Sequence, residues 1–256
     1  MAQVSKTTIA LVTGANKGIG RATAIKIADP NILKALARDH GYSVIVGSRQ
    51  VAAGEAVASE IKAQGYQATS VQLDLSSDES ITKAVKTIEE KYGRLDVLIN
   101  NAAIYLDADI PKLPTRELFT RTLDINVTGT AVLTEALVPL LRKADGGPRL
   151  VFVSSGMASM ATTTNKDLLW YNLDCASYDC SKVAMNMLAL NYVRSLEDVR
   201  GRVFIASPGL VSTDMTKHAS YGTTPEVGAA HIVALATAGE DAQNGTFSGK
   251  EGPIPW

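Results

Sequence analysis

The chain has 256 residues, 46% of them hydrophobic and 20% charged, with a net charge of -1. That apolar content supports a sizeable core and excludes wholesale disorder, and the near-neutral balance gives no electrostatic basis for a nucleic-acid or anionic-membrane partner. Its two cysteines, Cys175 and Cys180, match no common zinc spacing and make no disulfide framework, so they read as reduced thiols in a cytoplasmic protein.

Near the start, the apolar run Ile9–Val12 is too short for a signal-peptide core or a membrane span. From there, short apolar runs alternate with helical patterns. Strands are expected at Thr8–Thr13, Ser43–Gly47, Ala68–Leu73, Val97–Ile99, Arg149–Ser154, Arg202–Ser207 and Thr246–Ser248. Between them lie amphipathic stretches such as Val51–Gln64 and Asp78–Tyr92, apolar at three- and four-residue spacings. Ser76-x-x-Glu79 predicts a capping box opening the second, and Gly65 a left-handed residue closing the first. Thr224-Pro225 predicts an N-cap followed by proline at the first helical position. Asp29-Pro30 interrupts the helix after the first strand, with a second helical piece over Ile32–Asp39.

Strands alternating with helices imply βαβ units and a parallel sheet buried on both faces. The expected fold is α/β, a Rossmann-type doubly wound parallel sheet of about seven strands with helices on both faces, in a single domain. Gly156–Ala176 breaks the rhythm as a lengthened loop, and loops of that length inside a compact domain are usually functional or mobile.

Two motifs carry chemistry. Directly after the first strand comes Thr13-Gly14-Ala15-Asn16-Lys17-Gly18-Ile19-Gly20, and a helix follows. A glycine-rich turn there lets backbone N–H groups and a helix N-terminus face a pyrophosphate, although three glycines can also simply make a tight turn. The second strand ends in Gly47-Ser48-Arg49 with no acid to grip ribose hydroxyls. Arg49 and Lys17 suit a 2′-phosphate, which favours NADPH/NADP over NAD. Tyr178-Asp-Cys-Ser-Lys182 places a phenol and an ammonium one helical turn apart, and a nearby positive charge favours the phenolate. Alone, this pentapeptide is common, and its plain reading is a packed aromatic beside a solvated lysine.

Taken in order, these residues resemble the short-chain dehydrogenase/reductase family, and within it the carbonyl-reductase-like members. The resemblance covers essentially the whole chain. It rests on Thr13-Gly14-x-x-x-Gly18-x-Gly20, Asp74-Leu75, Asn100-Asn101-Ala102-Ala103, Asn126, Ser154-Ser155, Tyr178-x-x-x-Lys182 and Pro208-Gly209-x-x-x-Thr213. It implies that Tyr178 gives a proton to a carbonyl oxygen during hydride transfer and that Ser155 positions that oxygen. Lys182 lowers the tyrosine pKa and holds the nicotinamide ribose, and Asn126 anchors a water relay. Asp74 and Leu75 frame the adenine, Asn101 lies along the cofactor, and Pro208, Gly209, Val211 and Thr213 hold the nicotinamide and its phosphate. Two departures stand out: Ala103 replaces the usual glycine, and Ser155 and Tyr178 are 23 residues apart, further than in compact members.

The implied activity is NADPH-dependent reduction of a ketone or aldehyde. The alternatives are an NADP-dependent hydroxy-group dehydrogenase working oxidatively, or a non-catalytic cofactor-binding regulator. A pocket from Ile104-Tyr105, Met157, Trp170-Tyr171, Leu210 and Met215–Tyr221 would suit a lipophilic small molecule. His40, His218 and His231 are expected to be surface or packing residues with no metal. Monomer and homo-oligomer both remain open.

Overall fold

The computed structural model describes residues 7–28, 41–109 and 111–256. Asp29-Pro30 and the helical piece expected over 32–39 lie outside the described residues, as does His40. Strands β1 (Thr8–Val12), β2 (Tyr42–Ser48), β3 (Gln67–Gln72), β4 (Val97–Asn100), β5 (Arg149–Val153), β6 (Arg202–Ala206), β7 (Thr246–Gly249) and β8 (Gly252–Pro253) form one sheet, ordered β3-β2-β1-β4-β5-β6-β7-β8. Every pairing from β3 to β7 is parallel. Among the described residues the sheet has the seven expected strands and one more. The extra one is a two-residue segment joined antiparallel to β7, too short and proline-bearing to give an alternation signal.

Successive strand residues serve opposite faces. Ile9 and Leu11 of β1, with Leu150 and Phe152 of β5, join the core beneath helices α3 (Asp78–Tyr92), α5 (Thr130–Leu141) and α6 (Ala176–Ser195). Ala10 and Val12, with Val151 and Val153, join the core beneath α1 (Gly18–Ala28), α2 (Val51–Ala63) and α7 (Pro225–Ala236). Both faces are thus covered, which explains strands that read as unbroken apolar runs. No helix among the described residues is long and apolar enough to cross a membrane.

Helix ends follow local chemistry. Gly65 takes φ +88° just beyond α2, and Thr224 Oγ1 accepts the Val227 N–H at the start of α7. The capping box expected at Ser76 and Glu79 does not form, and α3 starts from a simple N-cap one residue later. Ser77, not Ser76, is the N-cap and accepts the Ser80 N–H at 3.2 Å. Ser76 is taken by the preceding acid, since its N–H and hydroxyl both donate to Asp74 Oδ1 at 3.0 and 2.7 Å. Helix α4 (Thr115–Leu123) runs into α5 through a π-helical turn, Asp124–Gly129.

Candidate active site

A cleft of about 320 Å³ opens at the carboxyl ends of the strands, where strand order reverses between β1 and β4. In open α/β sheets ligands bind in this crevice. One end is the β1–α1 turn. Gly14 and Gly18 have φ of +63° and +54°, a backbone that side chains disfavour. A Cβ on Gly20 would fall 2.4 Å from both Gly14 O and Asn101 Nδ2, so only a residue without a side chain lets the start of α1 pack this closely against the turn. Asn101 holds this turn in place by donating from Nδ2 to Thr13 O at 2.8 Å. Thr13 Oγ1 accepts the N–H groups of Asn101 and Ala102, each at 2.9 Å. That brace between β1 and β4 was not legible locally, because its partners are 88 residues apart.

Beyond the glycine turn, at the end of β2, Arg49 and Asp74 line the cleft together. Burial works to raise the Asp74 carboxyl, but the two Ser76 bonds and the Arg49 charge outweigh it and hold it below the usual range. Arg49 is exposed. Lys17, by contrast, is engaged across the cleft: its Nζ lies 2.6 Å from Asp214 Oδ2, and His218 Nε2 lies 3.0 Å from Asp214 Oδ1. Lys217, just before His218, donates to Ala108 O at 2.9 Å. The segment after Thr213 therefore spans from the glycine turn to the loop after β4.

At the other end stands the N-terminus of α6. Tyr178 and Lys182 share a face, with Lys182 Nζ 5.5 Å from the Tyr178 ring centroid. Lys182 is buried and donates to Val153 O at 2.7 Å. In the free chain burial dominates both groups. It pushes the Lys182 ammonium down to about 7. It pushes the Tyr178 phenol above its ordinary value, reinforced by the negative charge of Asp179 and by Tyr105 and Cys175. With Lys182 titrating near 7, its positive charge is only partly present around neutral pH, and burial outweighs any pull it has on the phenol. Burial, and then the Asp107 charge, raises Asp179 to about 6. The Tyr105 ring meets Tyr178 edge-on at 5.2 Å.

Helix α6 has no cap from its own N-cap residue, Cys175. Asp107, from the loop after β4, supplies one: Oδ1 accepts the Ser177 N–H at 3.1 Å and Oδ2 the Ser177 hydroxyl at 2.7 Å. Nothing local in the sequence marks Asp107, which lies 70 residues from its partner.

Of the expected site residues, Gly14, Asn16, Lys17, Gly18, Ile19, Gly20, Arg49, Asp74, Leu75, Asn101, Tyr178, Lys182, Pro208 and Thr213 all line the cleft. Four expected residues do not. Ser155 sits just past β5 and caps the 3-10 turn Gly156–Ala158 by accepting the Met157 N–H at 3.2 Å. That bond uses a lone pair and leaves the hydroxyl proton available. Its neighbour Ser154 lines the cleft but donates to Asn186 Oδ1 at 2.6 Å. Asn126 lies in the π-turn, where its carboxamide exchanges bonds of 2.8 and 2.9 Å with the Ile104 backbone and donates to Ser181 Oγ at 3.0 Å. Val211 is buried and bridges Thr223, while Gly209 faces a second cavity. Ile104, Met215 and His218 of the expected substrate pocket line the main cleft, and Trp170 lines the second cavity. His231 is a packing residue, 3.0 Å from Ser248 Oγ.

The short chain dehydrogenase family profile matches residues 8–223. The chain is 34% identical over 226 residues to short-chain dehydrogenase/reductase eupG of Phoma sp., covering 81% of this chain and 78% of that one. It is 30% identical over 292 aligned positions to carbonyl reductase [NADPH] 1 of Sus scrofa, covering 98% and 95%. Among solved structures, NADPH-bound carbonyl reductase from chicken fatty liver shares the fold with a TM-score of 0.79 at 24% identity, covering 98% of this chain and all of that one. The chain belongs to the short-chain dehydrogenase/reductase family and is an oxidoreductase of carbonyl-reductase-like type.

Proposed function

We propose that this oxidoreductase reduces a ketone or aldehyde to the alcohol with NADPH, Tyr178 delivering the proton. The observation that carries the reading is one continuous cleft with the glycine turn and Arg49 at one end and Tyr178 with Lys182 at the other. A turn closed to any Cβ at Gly20 suits a pyrophosphate, and the exposed guanidinium of Arg49 suits a 2′-phosphate. NADPH, when bound, supplies the hydride that the carbonyl carbon receives.

The remaining steps belong to the chain's own residues. Negative charge developing on the carbonyl oxygen calls for donors aimed at it. Ser155 keeps its hydroxyl proton for that role, and Tyr178, fully protonated near neutral pH, gives its proton to the same oxygen. Lys182, close to its titration point, then returns a proton toward Tyr178. Asn126 acts on this region as a brace, since its carboxamide ties Ile104 to Ser181 and Ser181 Oγ in turn donates to Tyr178 O at 2.7 Å.

Consumption of NADPH by the purified chain with aromatic and alicyclic ketones tests the reading. Tyr178→Phe should lose about 100-fold or more, the usual scale for a general acid. Full activity in that variant would sink the proposed role.

A further inference from the structure

A second cavity, of about 310 Å³, lies between the lengthened loop and the C-terminal strands, with Leu168 and Trp170 on one wall and Pro253 and Ile254 on the other. Its floor includes Gly156 and Gly209. Gly156 directly follows Ser155, and Gly209 directly follows Pro208, which lines the main cleft. Consecutive Cα atoms are about 3.8 Å apart, so the cavity begins one residue from each of these. Gly209 has φ +74°, and a Cβ built there would meet open space, so nothing from this residue walls the second cavity off. The benzo edge of the Trp170 indole rests over Gly156, 3.5 to 3.6 Å from where a Cβ would stand. The two walls are tied together, since Ala161 donates to Trp256 O at 2.7 Å. The charged lining residues, Lys250 and Glu251, pair with each other at 3.3 Å and are largely exposed, so the rest of the lining is glycine, apolar and aromatic groups with the two hydroxyl residues Thr162 and Ser207.

We infer that this cavity is a distal substrate subsite, taking a flat apolar ring carried beyond the reacting carbonyl and stacking it on Trp170. The inference rests on the carbonyl-reductase reading and narrows it to extended ring ketones. A volume at the low end of ligand pockets suits one such ring system. The lengthened loop then sets specificity by supplying Trp170, while the proton-delivery residues are untouched.

The chain has two tryptophans, so Trp256→Phe leaves Trp170 as the sole indole. Titration of that variant with 9-fluorenone should give saturable quenching that cyclohexanone does not produce. Quenching that rises without saturation, as for free tryptophan, overturns the inference. In turnover, Trp170→Ala should lower kcat/KM for fluorenone about tenfold, mainly through KM, and leave cyclohexanone within about twofold. Trp170→Phe should restore most of the loss. Ile254→Phe, filling the cavity from the opposite wall, should give the same split without disturbing the Trp170 turn. Equal losses on both ketones, no loss on either, or quenching without a kinetic split would each overturn the subsite. If the unmodified chain reduces neither ketone, the proposed activity fails, and the titration alone decides the subsite.

Discussion

Asp107 caps the helix that carries Tyr178 by accepting both the N–H and the hydroxyl of Ser177, at 3.1 and 2.7 Å. The cap comes from a different strand end, so the loop after β4 and the start of α6 are held as one unit. A carboxylate at a helix N-terminus also complements the macrodipole. Asp107 is a positioning residue: it touches neither cleft nor substrate, and it acts through the turn that aims the phenol.

Asp107→Ala should cost about 1–2 kcal/mol, the range for a lost N-cap. A chain of this size should then melt about 2–8 °C lower. With the Tyr178 ring free to drift, kcat should fall about ten- to a hundredfold, while NADPH affinity holds, because the glycine turn is braced separately by Asn101. Asp107→Asn keeps an acceptor for the Ser177 N–H and should recover part of kcat. A variant that loses cofactor affinity and kcat in equal measure would show a general structural role instead.

Burial of Lys182 makes a pH prediction. Its folded value is about 7 against 10.5 for a free lysine. Between those values the unfolded chain holds a proton that the folded chain has released, so stability rises with pH across that window. Below about 7 both states are protonated and the folded chain bears the full cost of an enclosed ammonium. Lys182→Met removes that dependence. Urea melts from about pH 6 to about pH 9 should show the unmodified chain gaining about 2–3 kcal/mol relative to the Met variant, at roughly 1.4 kcal/mol per unit. Tyr178 stays out of the comparison, since its folded value lies above the ordinary 10.0 and both states keep the phenol proton there. A constant gap between the two chains would rule out a depressed lysine.

The parts legible in sequence are those written in local chemistry. Gly14, Gly18 and Gly20 declare a turn that only bare backbone can make, and Tyr178 and Lys182 declare a shared helical face. Alternating βαβ runs declare a parallel sheet. What escaped depends on contacts between distant segments. Asp107 reads locally as one acid in a loop, Thr13 as the last residue of a strand, and Asp214 as one more surface carboxylate. Ser154 and Ser155 are chemically identical in sequence. Only the fold gives one hydroxyl to Asn186 and the other to a turn. The eighth strand has two residues and no pattern at all.

Cofactor preference should turn on Arg49 more than on Lys17. Arg49 is exposed at the cleft with a guanidinium suited to a bidentate phosphate contact, whereas Lys17 already pairs with Asp214 at 2.6 Å. Arg49→Ala should raise KM for NADPH about tenfold and barely move NADH, and Arg49→Asp should reverse the preference. Lys17→Ala should have a smaller effect, because a 2′-phosphate must first displace Asp214. Asp214→Asn frees the lysine. Exposed ion pairs are worth about 0.2–1 kcal/mol, so NADPH affinity should improve up to about fivefold at low salt, with NADH unchanged. Equal changes for both cofactors in Arg49→Ala would refute the assignment of a 2′-phosphate contact there.

Gly20 gives the sharpest steric test. A methyl group there would meet Gly14 O and Asn101 Nδ2, each at 2.4 Å, and neither can move without opening the β1–β4 brace. Gly20→Ala should therefore cost about 1–3 kcal/mol in overpacking and lower NADPH affinity by about tenfold or more, since the displaced atoms belong to the turn and its brace. Gly65→Ala is the matched control. Its φ of +88° makes alanine strained, yet a Cβ there meets nothing within 4 Å. That variant should lose about 1–2 kcal/mol of stability and bind cofactor as before. Calorimetric titration of NADPH into both variants separates the two kinds of glycine. Tight binding by Gly20→Ala would mean that the turn yields where the packing says it cannot.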